Sequence, residues 1–183
     1  MKVKILAEYF DVLDNTGAKI GRIKSRDEVH RDGDWHKGVY VWIVNDASEI
    51  LLQKRAPDKD SDPDMWDVSS GGHLTAGDDS SDAAVREVWE ELGVRIDKDQ
   101  LRFLGTLKCP SANASDFIDN EFDDVYLARM SPDIGKMKLQ AEEVSDAKYV
   151  SLAELKNMIA AEEPNLVMRP DVFRMLFDVL DRA

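Results

Sequence analysis

Apolar and polar positions alternate at the start of the chain in a way that predicts a β-hairpin. Apolar residues lie on either side of Asn15-Thr16-Gly17: Tyr9 and Val12 before it, Ile20 and Ile23 after it. Asn and Gly tolerate the positive φ of a tight turn. We therefore expect an N-terminal hairpin over residues 7–24, with Met1–Leu6 as a loose lead-in.

The later pattern predicts a sheet with helices packed against it. Val39–Val44 is apolar at nearly every position, which is typical of a central strand buried on both faces. Other strands are predicted at Glu49–Gln53, Leu101–Leu107, Val125–Arg129 and Lys148–Val150. Helices are predicted after the caps Ser25, Ser81 and Ser151, and after Pro170. Strands and helices interleave without strict alternation, so the expected fold class is α+β, a mixed β-sheet flanked by helices on both faces.

Length and charge narrow the function classes. A chain of 183 residues suggests a single domain over residues 1–183. Its 37 acidic against 24 basic residues give a net charge of −13, which repels phosphate backbones and argues against a nucleic-acid polymer as partner. The longest apolar run, Val39–Val44, is far shorter than the ~18 residues of a membrane helix. Cys109 is the single cysteine, so we expect no internal disulfide and a cytoplasmic location.

Three glutamates on one predicted helix are the first candidates for chemistry. Glu87, Glu90 and Glu91 follow the spacing i, i+3, i+4, which places their Cβ atoms about 5–6 Å apart. Like charges at this spacing destabilise a helix unless a cation lies among them. The alternative is an ordinary solvated acidic helix face.

The sequence around these glutamates favours the cation. It reads Gly72-x5-Asp78-x7-Arg86-Glu87-Val88-x-Glu90-Glu91-x-Gly93-Val94. This resembles the signature of the Nudix hydrolase superfamily, G-x5-E-x7-R-E-U-x-E-E-x-G-U, in which U is a bulky aliphatic residue. Asp78 replaces the first Glu of the signature, and the other specified positions agree. The resemblance implies a single Nudix-like domain, an α/β/α sandwich, with the signature over residues 72–94.

The resemblance also implies a metal site. Glu87 and Glu91 correspond to the most frequent metal ligands, Glu90 to a third, and Gly72 to a position whose carbonyl often joins them. Arg86 would orient Glu87, and one glutamate of the set, Glu87 or Glu90, would act as general base. Carboxylate oxygens suit Mg²⁺ or Mn²⁺, the expected cofactor, which completes its shell with substrate phosphates. Asp78 is one methylene shorter than Glu, so its role as a ligand or as a partner of Arg86 is open.

Residues outside the signature resemble the branch that contains isopentenyl diphosphate isomerase and related hydrolases. They are His30, His36, Trp66-Asp67, Ser70-Gly71-Gly72-His73 and Asp119-Asn120-Glu121. His73 corresponds to a metal-binding histidine of the isomerase, whereas Gly71 stands where the isomerase has its catalytic cysteine. Glycine has no side chain to move a proton, so hydrolysis is favoured over isomerisation. Glu121 is a candidate further metal ligand.

Other residues are candidates for contacts with substrate. Arg55 and Lys59 lie near the glycine-rich segment and could contact phosphates, and His73 could do so too. Scattered histidines are otherwise most often structural, and strand-end charges are most often solvated. Glu143 stands where Nudix proteins often have a further Glu near the site.

The predicted function is therefore a metal-dependent hydrolase. It would cleave a diphosphate linkage in a nucleoside diphosphate derivative or related small molecule, by attack of water on phosphorus. The alternatives are isopentenyl-diphosphate isomerisation and a non-catalytic module that binds a nucleotide diphosphate. The expected partner is the small-molecule diphosphate, with no membrane; an oligomer is possible but cannot be deduced from the sequence.

Overall fold

A computed structural model describes residues 8–59, 61–110 and 117–182. Its strands are β1 (Tyr9–Leu13), β2 (Lys19–Ser25), β3 (His36–Val44), β4 (Glu49–Arg55), β5 (Trp66–Asp67), β6 (Ser70–His73), β7 (Leu101–Cys109), β8 (Glu121–Arg129) and β9 (Val144–Ser151). Its α-helices are α1 (Arg26–Asp32), α2 (Ser80–Leu92), α3 (Leu152–Ala160) and α4 (Pro170–Leu180).

Seven strands form one mixed sheet. Its order is β5-β4-β3-β8-β7, with β6 paired to β3 and β9 paired to β4. The pairing of β3 with β8 is parallel and places His36 beside Glu121, whereas the other pairs are antiparallel. The predicted N-terminal hairpin is confirmed as a separate two-stranded sheet, β1 with β2; the predicted lead-in lies outside the described residues.

Helices cover both faces of the sheet, as expected from the sequence. On one face, α2 buries Ala84, Val88 and Leu92 against β3 and β8. On the other face, Leu155 of α3 and Phe173 of α4 pack into a second apolar cluster with Trp42. Burial of these stripes stabilises both layers and leaves the ends of β3, β6 and β8 open between them.

Several strands are longer than the sequence predicts, and two changed boundaries matter for the site. Helix α2 is capped by Asp79 rather than Ser81: the Asp79 carboxylate accepts a hydrogen bond from the Ser81 amide at 2.9 Å. Strand β8 begins at Glu121 rather than Val125, because parallel pairing with β3 continues through the acidic residues. Asp123 and Asp124 are therefore buried strand residues and not loop acids.

Local signals at other helix ends were predictive. Ser25 and Glu28 form the expected capping box of α1. Ser151 caps α3, and Pro170 occupies the first turn of α4. In the described ranges, no helix combines the length and apolar character needed to cross a membrane.

Candidate active site

A polar cavity opens where β6, α2, β8 and the start of α4 meet. Its acidic lining residues are Glu8, Glu87, Glu91, Asp119, Glu121, Asp123 and Glu143, and its basic ones Arg26, Arg55, Lys59 and Arg169. Gly72 and His73 also line it. The structure thus brings most of the sequence-predicted site residues to one place, whereas Arg86 and Glu90 lie beside the cavity rather than in its lining.

Two glutamates of α2 face the glycine pair of β6. Glu91 is buried, and its carboxylate accepts hydrogen bonds from Ser70 Oγ at 2.6 Å and the Gly71 amide at 3.1 Å. A Cβ atom added to Gly72 would lie 2.5 Å from the carboxyl carbon of Glu87. Glycine at position 72 therefore lets this carboxylate lie directly against the backbone of β6.

Burial makes the charged form of both glutamates costly. It raises the pKa of Glu91 to about 8, although the Ser70 and Gly71 hydrogen bonds act in the opposite direction. Burial also raises the pKa of Glu87, and the neighbouring Arg86 offsets only part of this effect. Two crowded carboxylates of this kind fit a divalent cation, which would compensate both charges.

Arg86 holds the outer side of this arrangement in place. Its guanidinium donates to Glu87 at 2.7 Å, to Glu90 at 3.2 Å and to the carbonyl of His73 at 3.1 Å. Glu90 remains about half exposed, with 49% side-chain exposure. Asp78 reaches Arg86 only at 3.9 Å, as expected for a side chain one methylene shorter than Glu.

A second group of potential metal ligands lies behind the first. One ligand atom from each of His30, His36, His73 and Asp119 lies within 4.8 Å of the others. The Nε2 atoms of the three histidines lie 3.2, 3.3 and 3.7 Å from Asp119 Oδ1, and that of His73 lies 3.2 Å from Glu121 Oε1. The histidines that sequence reasoning treated as scattered are therefore neighbours.

The Nδ1 atoms of two histidines are hydrogen-bonded to backbone carbonyls, so their Nε2 atoms are the ones that face Asp119. Nδ1 of His30 lies 2.8 Å from the Arg26 carbonyl, and Nδ1 of His36 lies 3.1 Å from the Asp34 carbonyl. A carbonyl only accepts, so Nδ1 carries the proton of each neutral ring. Each Nε2 lies 3.2 or 3.3 Å from Asp119 Oδ1, and because the carboxylate only accepts, either a proton on Nε2 or a metal ion must lie between the two atoms.

The electrostatics of this group favour a positive charge within it. Burial lowers the pKa of His73, but Asp119 and Glu121 outweigh it and raise the value to about 10. Burial raises the pKa of Asp119, and the three histidines lower it far more, to a net decrease. Phe10 stacks on His36 and His73, and Phe117 stacks on His30, so aromatic rings wall the group.

The floor of the cavity contains residues that sequence reasoning did not single out. Arg169, just before α4, forms a two-pronged ion pair with Asp67 at 2.9 Å for each contact and stacks over the ring of Tyr40 at 4.6 Å. Asp123 is fully buried beside them, and burial followed by the nearby Glu121 raises its pKa. Burial and Asp123 in turn raise the pKa of the half-buried Cys109 thiol.

The two basic residues predicted to contact substrate already have partners in the chain. Arg55 donates to the Ser61 carbonyl at 3.0 and 2.8 Å and lies 3.5 Å from Asp67. Lys59 pairs with Glu143, so the glutamate noted from the sequence also lies at the cavity. Both cations border the cavity and could reach a bound phosphate by exchanging these partners.

Comparison with known proteins decides the family. A model of the NUDIX domain matches residues 34–170. The chain belongs to the Nudix family. This membership confirms the resemblance inferred from the signature and, at the level of the family, the expectation of a Nudix-type hydrolase.

Individual Nudix relatives add detail. Nudix hydrolase 3 of Arabidopsis thaliana is 46% identical over 181 residues; the match covers 94% of this chain and 23% of that protein, so the chain spans less than a quarter of this relative. An isopentenyl-diphosphate Delta-isomerase of Paenarthrobacter aurescens is 30% identical over 148 residues, which cover 81% of this chain and 78% of the isomerase. Isomerases are thus among its relatives, as the residues outside the signature indicated.

A solved structure supports the fold. The crystal structure of DR0079 from Deinococcus radiodurans matches with a TM-score of 0.70 and 23% identity, covering 93% of this chain and 98% of that one. Since the chain belongs to the Nudix family, the mixed sheet flanked by helices is a Nudix fold.

Proposed function

We propose that this chain is a divalent-metal-dependent hydrolase that cleaves a diphosphate linkage in a nucleoside diphosphate derivative or related small molecule. The observation that carries the proposal is the position of the buried Glu91 and the nearly buried Glu87, with 13% side-chain exposure, side by side in the wall of an open cavity, with Arg86 bonded to Glu87. Nudix family membership supports the same interpretation.

The donor sets fit metal ions of two kinds. Glu87 and Glu91, with Gly72 beside them and Glu90 at the edge, provide the oxygen ligands that Mg²⁺ or Mn²⁺ prefers. His30, His36, His73 and Asp119, with Glu121 as a further carboxylate, provide a nitrogen-rich set that suits a transition metal. Bound divalent ions supply charge neutralisation at phosphate oxygens and a more acidic water.

The protein's own side chains would bind the phosphates and accept the proton of the attacking water. Lys59 and Arg55 hold the phosphates from the mouth of the cavity. Arg86 fixes the rotamer of Glu87, so that a carboxylate of this wall can take the proton of the attacking water. A new bond forms between the water oxygen and phosphorus as the bridging P–O bond breaks, and the second phosphate leaves with its organic group or alone.

Hydrolysis is favoured over isomerisation by Gly71. The position of the isomerase cysteine has no side chain, and a Cβ added there would lie 2.7 Å from the ring of Tyr40 and 3.0 Å from the Val39 carbonyl. Incubation with isopentenyl diphosphate would reveal isomerisation as dimethylallyl diphosphate without phosphate release. A non-catalytic module would instead bind a nucleotide diphosphate tightly and give no product.

A substrate panel tests the proposal. The metal-stripped protein is assayed on nucleoside diphosphates, nucleotide sugars, dinucleoside polyphosphates and isoprenyl diphosphates, with and without Mg²⁺ or Mn²⁺. We expect phosphate or a monophosphate to be released from at least one class, and only when metal is present. Equal turnover with and without metal would contradict the proposal.

Variants of α2 test the assigned roles. Glu87→Gln and Glu91→Gln are each expected to lower kcat by about 100-fold or more, because each removes a charge that balances the metal. Glu90→Gln should cost less, since its side chain is half exposed and outside the cavity lining. The matched control is Asp82→Asn, an exposed acid of the same helix paired with Lys98, which should leave kcat unchanged. A full loss in the control, or none in Glu91→Gln, would refute the assignment.

A further inference from the structure

The floor of the cavity contains a carboxyl group that lacks an N–H or O–H donor. The Asp123 side chain is fully buried, with 0% exposure, and yet it lines the cavity. In the part of the chain that the structure describes, neither of its oxygens accepts a hydrogen bond from an N–H or O–H group. Burial raises the pKa of Asp123, and the neighbouring Cys109 thiol, a weak donor, lowers it only in part. A buried polar group without a partner costs free energy, so such a group in a cavity points to a ligand that completes it.

The fold makes room for this carboxyl. Asp123 lies beside Gly38 in the parallel pairing of β3 with β8. A Cβ atom added to Gly38 would collide with the side chains of both Asp123 and Glu121. The next residue, Asp124, has the opposite situation, because Lys37 donates to it at 2.8 and 2.9 Å and Thr106 at 2.5 Å.

Arg169, the basic residue of the cavity floor, is already paired with another carboxylate. Arg169 uses Nε and Nη2 for Asp67 and stacks on Tyr40, so its hydrogen bonds do not reach Asp123. The two carboxylates Glu121 and Asp123 share one face of β8, two residues apart. The floor is therefore polar and acidic, which does not suit a hydrocarbon chain or a phosphate group.

The hydrogen-bonding capacity of a carboxyl group defines which kind of ligand Asp123 would bind. At least one of its oxygens accepts a hydrogen bond in either protonation state, so the missing partner is an O–H or N–H donor. The oxygens of an ionised diphosphate only accept. Of the two parts of the proposed substrate, only the organic group that the diphosphate carries can therefore supply this donor.

We propose that Asp123 determines substrate specificity by accepting a hydrogen bond from a hydroxyl or amino group on the organic part of the substrate. The substrate class is then a diphosphate of a hydroxylated group, such as a sugar or nucleoside, and not of a hydrocarbon alcohol. This inference rests on the proposed hydrolysis of a diphosphate and adds the group that is recognised.

Turnover of two contrasting substrates tests the proposal. ADP-ribose carries several hydroxyl donors, whereas isopentenyl diphosphate carries none on its organic group. Asp123→Leu should lower kcat/KM for ADP-ribose at least about tenfold and leave that for isopentenyl diphosphate within about twofold. Asp123→Asn keeps an acceptor oxygen and should retain most of the preference. The matched control is Asp124→Asn, which should leave the ratio of the two kcat/KM values unchanged.

The outcomes separate this proposal from the proposed function. An equal fall on both substrates in Asp123→Leu and Asp123→Asn, with unchanged thermal unfolding, would overturn the specificity role and leave hydrolysis standing. If the wild-type protein hydrolyses only one of the two substrates or neither, the ratio of kcat/KM values cannot be formed and calorimetry decides the role of Asp123. Tighter binding of α,β-methylene-ADP than of methylenediphosphonate, lost in Asp123→Leu, supports the proposal; equal affinities in wild type and variant overturn it.

Discussion

Arg86 connects the glutamates of α2 to strand β6. It bonds to two glutamates of its own helix and to the backbone of His73, whereas its contact with Asp78 is long. The substitution of Glu by Asp at position 78 therefore removes a contact that the other partners of Arg86 replace.

This geometry predicts that Asp78 is nearly dispensable. The pair is separated by 3.9 Å and both side chains are about one-third exposed, 33% and 36%. Asp78→Asn should change kcat by less than about threefold and the free energy of unfolding by less than about 1 kcal/mol, as for other exposed pairs. Steady-state kinetics and urea unfolding check this. A loss of activity as large as that of Glu91→Gln would mean that Asp78 is itself a ligand.

Gly71 gives a second prediction at the residue scale. A side chain at this position meets the Tyr40 ring and the Val39 carbonyl. Gly71→Cys should therefore lower the free energy of unfolding by about 1–3 kcal/mol, the usual cost of overpacking, and should not create isomerase activity. Thermal unfolding and product analysis with isopentenyl diphosphate check both parts. Wild-type stability together with dimethylallyl diphosphate formation would contradict this account of the cavity floor.

At the scale of elements, one ion pair ties α4 to the sheet. Asp67 of β5 is 3% exposed and Arg169, at the start of α4, is its main partner. Burial raises the pKa of Asp67, but Arg169 and Arg55 together lower it below its ordinary value of 3.8. The ionised pair therefore stabilises the folded state above this pH, and the contribution is lost as the pH falls below it.

For this reason, removal of the Arg169 charge should lower the stability of the folded protein. Arg169→Met leaves Asp67 buried without its main partner and should lower the free energy of unfolding by about 3 kcal/mol at neutral pH. The difference from wild type should shrink as the pH falls, because Asp67 without Arg169 stays buried and becomes protonated at a higher pH than in wild type. The control is Arg174→Met on the same helix, whose pair with Asp171 is exposed and should matter by less than about 1 kcal/mol. A pH-independent difference would exclude the ion pair as its cause.

Elements that depend on local sequence could be predicted, whereas burial that depends on long-range strand pairing could not. The hairpin, the capping box of α1 and the run of α2 depend on residues a few positions apart, and these predictions are confirmed. Asp123 lies outside the predicted strand Val125–Arg129, because its burial depends on the parallel pairing of β8 with a strand more than 80 positions earlier. The signal available in the sequence was the apolar run that follows it, since a strand can extend through acids that face a cavity.

At the scale of the whole molecule, the group of three histidines and Asp119 could not be predicted from the sequence either. His30 comes from α1, His36 from β3, His73 from β6, and Asp119 from the segment before β8. No local spacing links them, so only the sheet topology brings them together. The glutamates of α2 were predictable because one helix turn sets their separation.

The chain as a whole is acidic, with a net charge of −13, and yet its cavity concentrates both carboxylates and basic side chains. Buried carboxylates without compensation are unfavourable, so the account requires divalent cations to balance them. Family membership and the arrangement of Glu87 and Glu91 lead to the same requirement.

Calorimetric titration of Mn²⁺ into the metal-stripped protein tests this requirement most directly. Wild type is compared with the double variant Glu87→Gln/Glu91→Gln and with Asp82→Asn as control. The account predicts heat of uptake in the wild type and in the control, and loss of the corresponding binding event in the double variant. No uptake by the wild type, or the same isotherm in the double variant, would contradict it.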